Sequence, residues 1–224
     1  MTGTPCQVHE INNFLLNKKY TGNLYLCDIV CHGVGSPLIY RQHLQYLENK
    51  YNMKIDKICF RSKDLGWAKN CKRYIKCQSK DKTVLDDLYY KLYFNYNIIS
   101  RPSCEKCPYA SSKRTSDITI GDFWGIEKIA PDFEDGLGIS LVIINSDKGE
   151  KLLQNIESSV SLLQSSWSNA VKENPRLSSP TKFGKMRDEF WRLQKKWEYE
   201  KVLKFYFDNS FIGKVKRRVY RLTK

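Results

Sequence analysis

The spacing of apolar positions changes repeatedly along this chain, and each change marks a predicted element. Val8, Ile11, Leu15 and Leu16 fall on one face of a helix that Thr4 caps, Pro5 opens and Asn17 closes. Gly22-Asn23 turns into the mostly apolar run Leu24–Cys31, which reads as a buried strand of the parallel type. Gly33 and Gly35 interrupt the pattern. Ser36-Pro37 then starts a second helix, with Ile39, His43, Leu44 and Leu47 at helical spacing. Strand-like segments follow at Ile55–Arg61 and Arg73–Gln78, and an aromatic-rich helix at Leu88–Tyr96. A cysteine-bearing loop from Ser100 to Ser116 leads into two further strands, Asp117–Asp122 and Ile139–Asn145, both expected to be buried. Ser146 caps a helix that carries Leu152, Leu153 and Ile156.

Beyond the Ser-rich stretch Ser158 to Ser168 and the loop Asn174–Lys182, Phe183, Met186, Phe190, Leu193 and Trp197 recur at three- and four-residue steps. Phe211, Val215, Val219 and Leu222 do the same, opposite Lys214, Lys216, Arg217, Arg218 and Arg221. The expected fold is therefore α/β or α+β: a mixed sheet with flanking helices and a helical, basic C-terminal extension. The body is expected to span residues 1–168 and the extension 169–224. One feature is anomalous. A helix that opens at residue 5 from a Gly-Thr-Pro turn ordinarily follows a strand, and no strand is evident before it, as if the chain began inside a βαβ unit or were truncated.

Composition narrows the setting. Apolar residues at 41% and aromatics at 13% fit a globular protein. There is no apolar run of membrane-spanning length and no secretory signal at the N-terminus, so a reducing, cytoplasmic location is expected. In that setting eight cysteines point to metal or redox chemistry before disulfides. The formal charge of +14 is concentrated: Lys182 to Lys224 holds fourteen Lys/Arg against five Asp/Glu. Such a tail suits a solvated face, an acidic partner or the inner face of a membrane, and nucleic acid is not the expected partner.

Cys104-Glu105-Lys106-Cys107 is a CxxC on a loop, flanked by Pro102 and Pro108. Two thiolates at that spacing chelate one centre from a single turn. Pro108 and the polar run behind it deny Cys104 the helix start of a thioredoxin-type pair, so a redox dithiol ranks below a metal site. Topology nominates two more ligands. Cys6 opens its helix and Cys31 ends the next strand, positions that a right-handed βαβ unit brings to the same sheet edge. Four thiolates suit a cubane 4Fe-4S cluster or a structural zinc, and the single CxxC knuckle tilts the choice toward the cluster. Cys59, Cys71 and Cys77 read as small buried apolar groups; Cys27 reads the same way, or as a substitute for Cys31.

Five motifs occur in order: Thr2–Gln7 (TGTPCQ), Asp28–Gly33 (DIVCHG), Phe60–Lys63 with Gly66-Trp67, Ser103–Cys107, and Ser116–Gly125 (SDITIGDFWG). Together they resemble the C-terminal domain of the coenzyme F-420 hydrogenase/dehydrogenase beta-subunit family, over about the first two-thirds of the chain. The resemblance implies an iron–sulfur flavoprotein oxidoreductase. It would bind FAD and a 4Fe-4S cluster and relay electrons to a soluble carrier, such as coenzyme F-420 or ferredoxin, with a redox partner protein or ferredoxin-like domain. The ferredoxin-like segment that many members carry at their N-terminus is not among these residues. Some bacterial relatives are linked to polysaccharide synthesis. The competing reading is a non-catalytic scaffold, stabilised by zinc or a cluster and associated with such synthesis or with a membrane surface.

Further positions are candidates for the cofactor. Gly33 and Gly35, at a strand-to-helix turn, offer backbone N–H groups to a pyrophosphate, although an ordinary tight turn explains them as well. Arg61, Lys63 and Trp67 suit phosphate binding and ring stacking; a surface hairpin is the alternative. Gly121, Asp122 and Trp124 follow a predicted strand and should emerge at a sheet edge, where Asp122 needs a partner. Catalytic residues are not assignable, and no hydrolytic constellation is present.

Overall fold

The computed structural model describes residues 1–60, 62–64, 66–67 and 74–222. Arg61 and Cys71 lie outside the described residues. The architecture is mixed α/β, with two sheets among the described residues and flanking helices. By internal packing the chain divides into two units interleaved in sequence. Residues 1–33, 63–72 and 102–181 form the first, and 34–62, 73–101 and 182–224 form the second. The expected boundary at residue 168 falls within the first unit, and 182–224 contribute to the core of the second.

The first unit is built on β1 (Thr2–Gly3), β2 (Cys27–Ile29), β6 (Ile118–Asp122) and β7 (Ser140–Ile144), hydrogen-bonded in that order. The first three are parallel and β7 runs antiparallel to β6. Helix α1 (Pro5–Asn17) is the crossover between β1 and β2, with Thr4 as its N-cap and the Gln7 side chain accepting the Thr4 backbone N–H at 3.0 Å. The strand expected to be missing before α1 is present as the two residues Thr2 and Gly3, paired with Cys27 and Asp28. The strand predicted over Leu24–Cys31 is only three residues long. Nor are β6 and β7 buried on both faces: Ile120 and Val142, paired across the two strands, are exposed, as the half-solvated face of an antiparallel pair allows. Phe123, Ile126, Leu141, Ala170 and Leu177 form this unit's buried cluster, to which helix α5 (Trp167–Glu173) contributes Ala170, and helix α4 (Asp147–Gln154) follows β7. Ser146 caps α4 as expected, its Oγ accepting the Gly149 N–H at 3.2 Å.

The second unit has an antiparallel sheet, β3 (Lys57–Cys59), β4 (Ile75–Gln78) and β5 (Thr83–Asp86). Around it lie α2 (Pro37–Tyr51), α3 (Leu88–Tyr90) running into a π-helical turn at Lys91–Asn95, α6 (Arg187–Gln194), α7 (Tyr199–Phe207) and α8 (Phe211–Leu222). Its core joins Ile39, Leu47, Ile75, Leu92, Ile98 and Ile99 to Phe190, Leu193, Tyr199, Val202, Leu203 and Tyr206 of α6 and α7. His43 is fully buried inside this core, and both ring nitrogens are satisfied. Nε2 lies 2.8 Å from Asp86 Oδ2 and Nδ1 lies 3.0 Å from the Tyr199 hydroxyl.

Candidate metal and cofactor site

The parallel register of the first unit determines which residues meet at its carboxyl edge. Gly3, Asp28 and Thr119 form one row across β1, β2 and β6. Three residues beyond each of them come Cys6, Cys31 and Asp122. All three therefore leave the sheet at the same edge, where open α/β sheets place their ligands. The loop entering β7 emerges there too, because Ser140 pairs with Asp122.

Like Cys104 and Cys107, Cys31 is half-buried. Burial pushes its pKa up, and the Gly33 N–H, donating to its Sγ at 3.4 Å, pulls it down. The thiols of Cys104, Cys6 and Cys107 are near enough to push it up again by like-charge repulsion. Cys104 rides on a 3-10 turn, Pro102–Lys106, and Cys107 follows it. Cys6 is exposed in the first turn of α1, with its Sγ 3.2 Å from the Thr4 hydroxyl. Cys27 keeps different company. Burial raises its pKa, Thr2 lowers it by a side-chain hydrogen bond, Asp28 raises it and the N-terminal amine lowers it; no second cysteine among the described residues acts on it. The four thiols stand as a loose group: among the described residues, no three His, Cys, Asp or Glu side chains are arranged to hold a metal ion.

Tyr109 is a member of this neighbourhood that the sequence pattern did not single out. Its phenol is raised by burial, then by Glu10, Cys6 and Cys107, and its ring centroid lies 4.9 Å from that of His9. The available signal was its place two residues after the CxxC, beside Pro108. His9 is tied on both nitrogens, to Thr115 Oγ1 at 3.0 Å and to Asn13 Nδ2 at 2.9 Å.

The cofactor candidates separate into groups. Trp67 and Trp124 lie with ring centroids 5.8 Å apart, and Trp67 rests on the 136–138 loop. Its backbone N–H donates to Gly136 O at 3.1 Å, and a Cβ on Gly138, whose φ is +90°, would come within 2.0 Å of its indole. Lys63 Nζ donates to Leu137 O at 2.6 Å in the same loop. Gly121 is required by close approach, since a Cβ there would sit 2.6 Å from Val30 Cγ2. Gly33 belongs to the first unit and serves the Cys31 sulfur. Gly35 belongs to the second, where it bridges Ser100 while the Ser36 N–H donates to Ile99 O at 2.8 Å. The Gly33 N–H offered to a pyrophosphate is therefore already engaged within the chain.

Much of the Ser116–Gly125 motif is structural. Asp117, buried, accepts the Leu26 N–H at 2.8 Å and the Ser146 hydroxyl at 2.6 Å. Asn145 donates to Ser116 Oγ and Thr119 Oγ1. Asp28, also buried, is paired with Arg114 at 3.4 Å.

The family described as the C terminus of the coenzyme F420 hydrogenase/dehydrogenase beta subunit matches residues 1–166. The chain belongs to this family. No curated protein matches the chain. As a member of the hydrogenase/dehydrogenase beta-subunit family it is of a redox-protein type, and the family match takes in all four thiols of the edge group and both tryptophans. Among the described residues no helix is long and apolar enough to cross a membrane.

Proposed function

We propose that this chain is an iron–sulfur flavoprotein that relays electrons, as one subunit of a redox assembly, between a cluster, a flavin and a soluble carrier in a reducing compartment. Cys6, Cys31, Cys104 and Cys107 would hold the cluster. The observation that carries the reading is the parallel register that brings Cys6 and Cys31 to one sheet edge, where Cys104, Cys6 and Cys107 are all near enough to act on the Cys31 thiol. The donor chemistry fits: four thiolates from three separate turns suit an iron–sulfur cubane, whose own iron and sulfide atoms hold its cysteine ligands wider apart than a single ion would. A zinc ion would instead need all four sulfurs at about 2.3 Å from one centre.

When bound, the cluster moves single electrons, and a flavin converts these to the pairs that a hydride carrier accepts. The chain's own residues hold and insulate. Gly33 donates to the Cys31 sulfur, and Thr4 approaches the Cys6 sulfur, as hydrogen-bonding groups around a cluster ligand do. Trp67 and Trp124, with Lys63, Gly121 and Asp122, are the proposed flavin side of the same edge, where the indoles supply stacking surface. A deazaflavin such as coenzyme F-420, or a ferredoxin-like partner, is the proposed exchange carrier.

Anaerobic purification followed by iron, sulfide, zinc and flavin analysis tests this. About four iron and four sulfide per chain, with bound flavin, are expected for one cubane. Zinc at one per chain without iron or flavin would replace the redox reading with that of a zinc-stabilised scaffold.

A further inference from the structure

Helix α8 is attached to the second unit by one face and turns another outward. Gly213 is buried, and a Cβ there would meet Asp208 within 2.6 Å, so the helix lies hard against the turn before it. Tyr220 packs on Phe205 and Trp197, with ring centroids at 5.3 and 5.7 Å. Arg217 donates to Phe205 O and Asp208 O, each at 2.7 Å, and Arg221 forms two bonds to the Glu189 carboxylate at 3.0 and 3.1 Å. Away from that face run Phe211, Val215 and Val219 at four-residue steps, with Ile212 and Leu222 beside them. All five are exposed, Phe211 at 81% and Leu222 at 78%. On a helical projection Lys214 and Arg218 border this stripe on one side and Lys216 on the other, all three exposed.

We propose that α8 docks this chain onto an anionic lipid surface. The helix carries five cations and no acidic residue, so its charge is complementary to anionic headgroups. A narrow apolar stripe with long basic side chains on both borders suits the boundary between headgroups and acyl chains, where Lys and Arg stems lie along apolar surface and their charges reach outward. A second copy is a poor occupant: apposed α8 helices would set five cations against five, in chains of formal charge +14. The anchoring bonds of Arg217 and Arg221 leave Lys214, Lys216 and Arg218 outside the docked face. The helix lies beyond the family match, which ends at residue 166, and the inference does not depend on the redox reading.

The test is co-sedimentation of the full chain with vesicles of phosphatidylcholine alone or of phosphatidylcholine mixed with phosphatidylglycerol, at low and high salt. Binding is expected only to the mixed vesicles, and should weaken as salt rises. Lys214→Gln with Arg218→Gln should lower the partition coefficient about 30-fold. Phe211→Glu with Val215→Glu, on the exposed stripe, should abolish pelleting with circular dichroism unchanged. Equal pelleting on both vesicle types, no pelleting, or pelleting unaffected by either pair of substitutions would overturn the proposal. A wild-type dimer in light scattering that the stripe variant converts to monomer, without vesicle binding, would overturn it in favour of self-association. Retention on an acidic polypeptide without pelleting would overturn it in favour of an acidic protein partner.

Discussion

Asp117 joins three parts of the first unit through one carboxylate. It accepts the Leu26 N–H ahead of β2 and the hydroxyl of Ser146, the cap of α4, and lies 3.7 Å from Lys148. Gly149 presses on the same residue's backbone, where a Cβ would sit 2.2 Å from Asp117 O. Asp117→Ala should therefore cost about 3 kcal/mol, because two donors lose a buried acceptor, and a chemical-denaturation curve measures this. Motif residues thus divide by what they touch. Asp117, Thr119 and Gly121 hold the strands together, whereas Cys6, Cys104 and Cys107 lie near enough to act on the Cys31 thiol. Spacing nominated Cys104 and Cys107 and strand topology added Cys6 and Cys31, with Cys27 left as a substitute for Cys31. That choice depends on whether the chain is still in the strand or has left it, and the run Leu24–Cys31 is mostly apolar. Tyr109 and the Asp28–Arg114 pair were not legible, because each depends on a contact across many residues of chain.

At the scale of elements, the helices with strong caps and clear periodicity were readable. Thr4-Pro5, Ser36-Pro37 and Ser146 each start a helix where expected. Short strands were harder: β5 is four residues with one buried apolar side chain, and β1 is two residues. Neither is long enough to establish a period. Element attachment rests on polar contacts of the kind that link α6, α7 and α8. Glu189 on α6 takes bonds from Arg221 and from the Tyr206 hydroxyl at 3.0 Å. Burial raises its pKa, but these bonds outweigh burial and hold the carboxyl below its ordinary value. A carboxyl depressed in the folded state stabilises fully above its unfolded pKa of about 4.3, and that contribution is lost as pH falls through the lower folded value. Glu189→Gln should cost about 1 kcal/mol at neutral pH, with the gap to wild type constant down to about pH 5 and closing below pH 4. Thermal melts across that range check it.

At the scale of the whole molecule, the basic C-terminal part is only partly an extension. Its last helix is largely exposed, but α6 and α7 supply six of the buried residues in the second unit's core, including the fully buried Phe190 and Val202. Amphipathic periodicity announced the apolar faces without saying which surface they would cover, since that pairing spans more than a hundred residues. A chain ending at residue 181 should therefore lose cooperative unfolding and bind a hydrophobic dye, because Ile39, Leu47, Ile75, Leu92 and Ile98 would be uncovered. A sharp, cooperative melt of that truncation would show that the second unit's core does not need them. The four-thiol edge is the central claim, and the sharpest measurement is iron and sulfide content in two serine variants purified anaerobically. Cys31→Ser is predicted to lose most of both, and Cys27→Ser to keep the wild-type amount. Equal retention in the two, or loss in Cys27→Ser alone, would contradict the assignment.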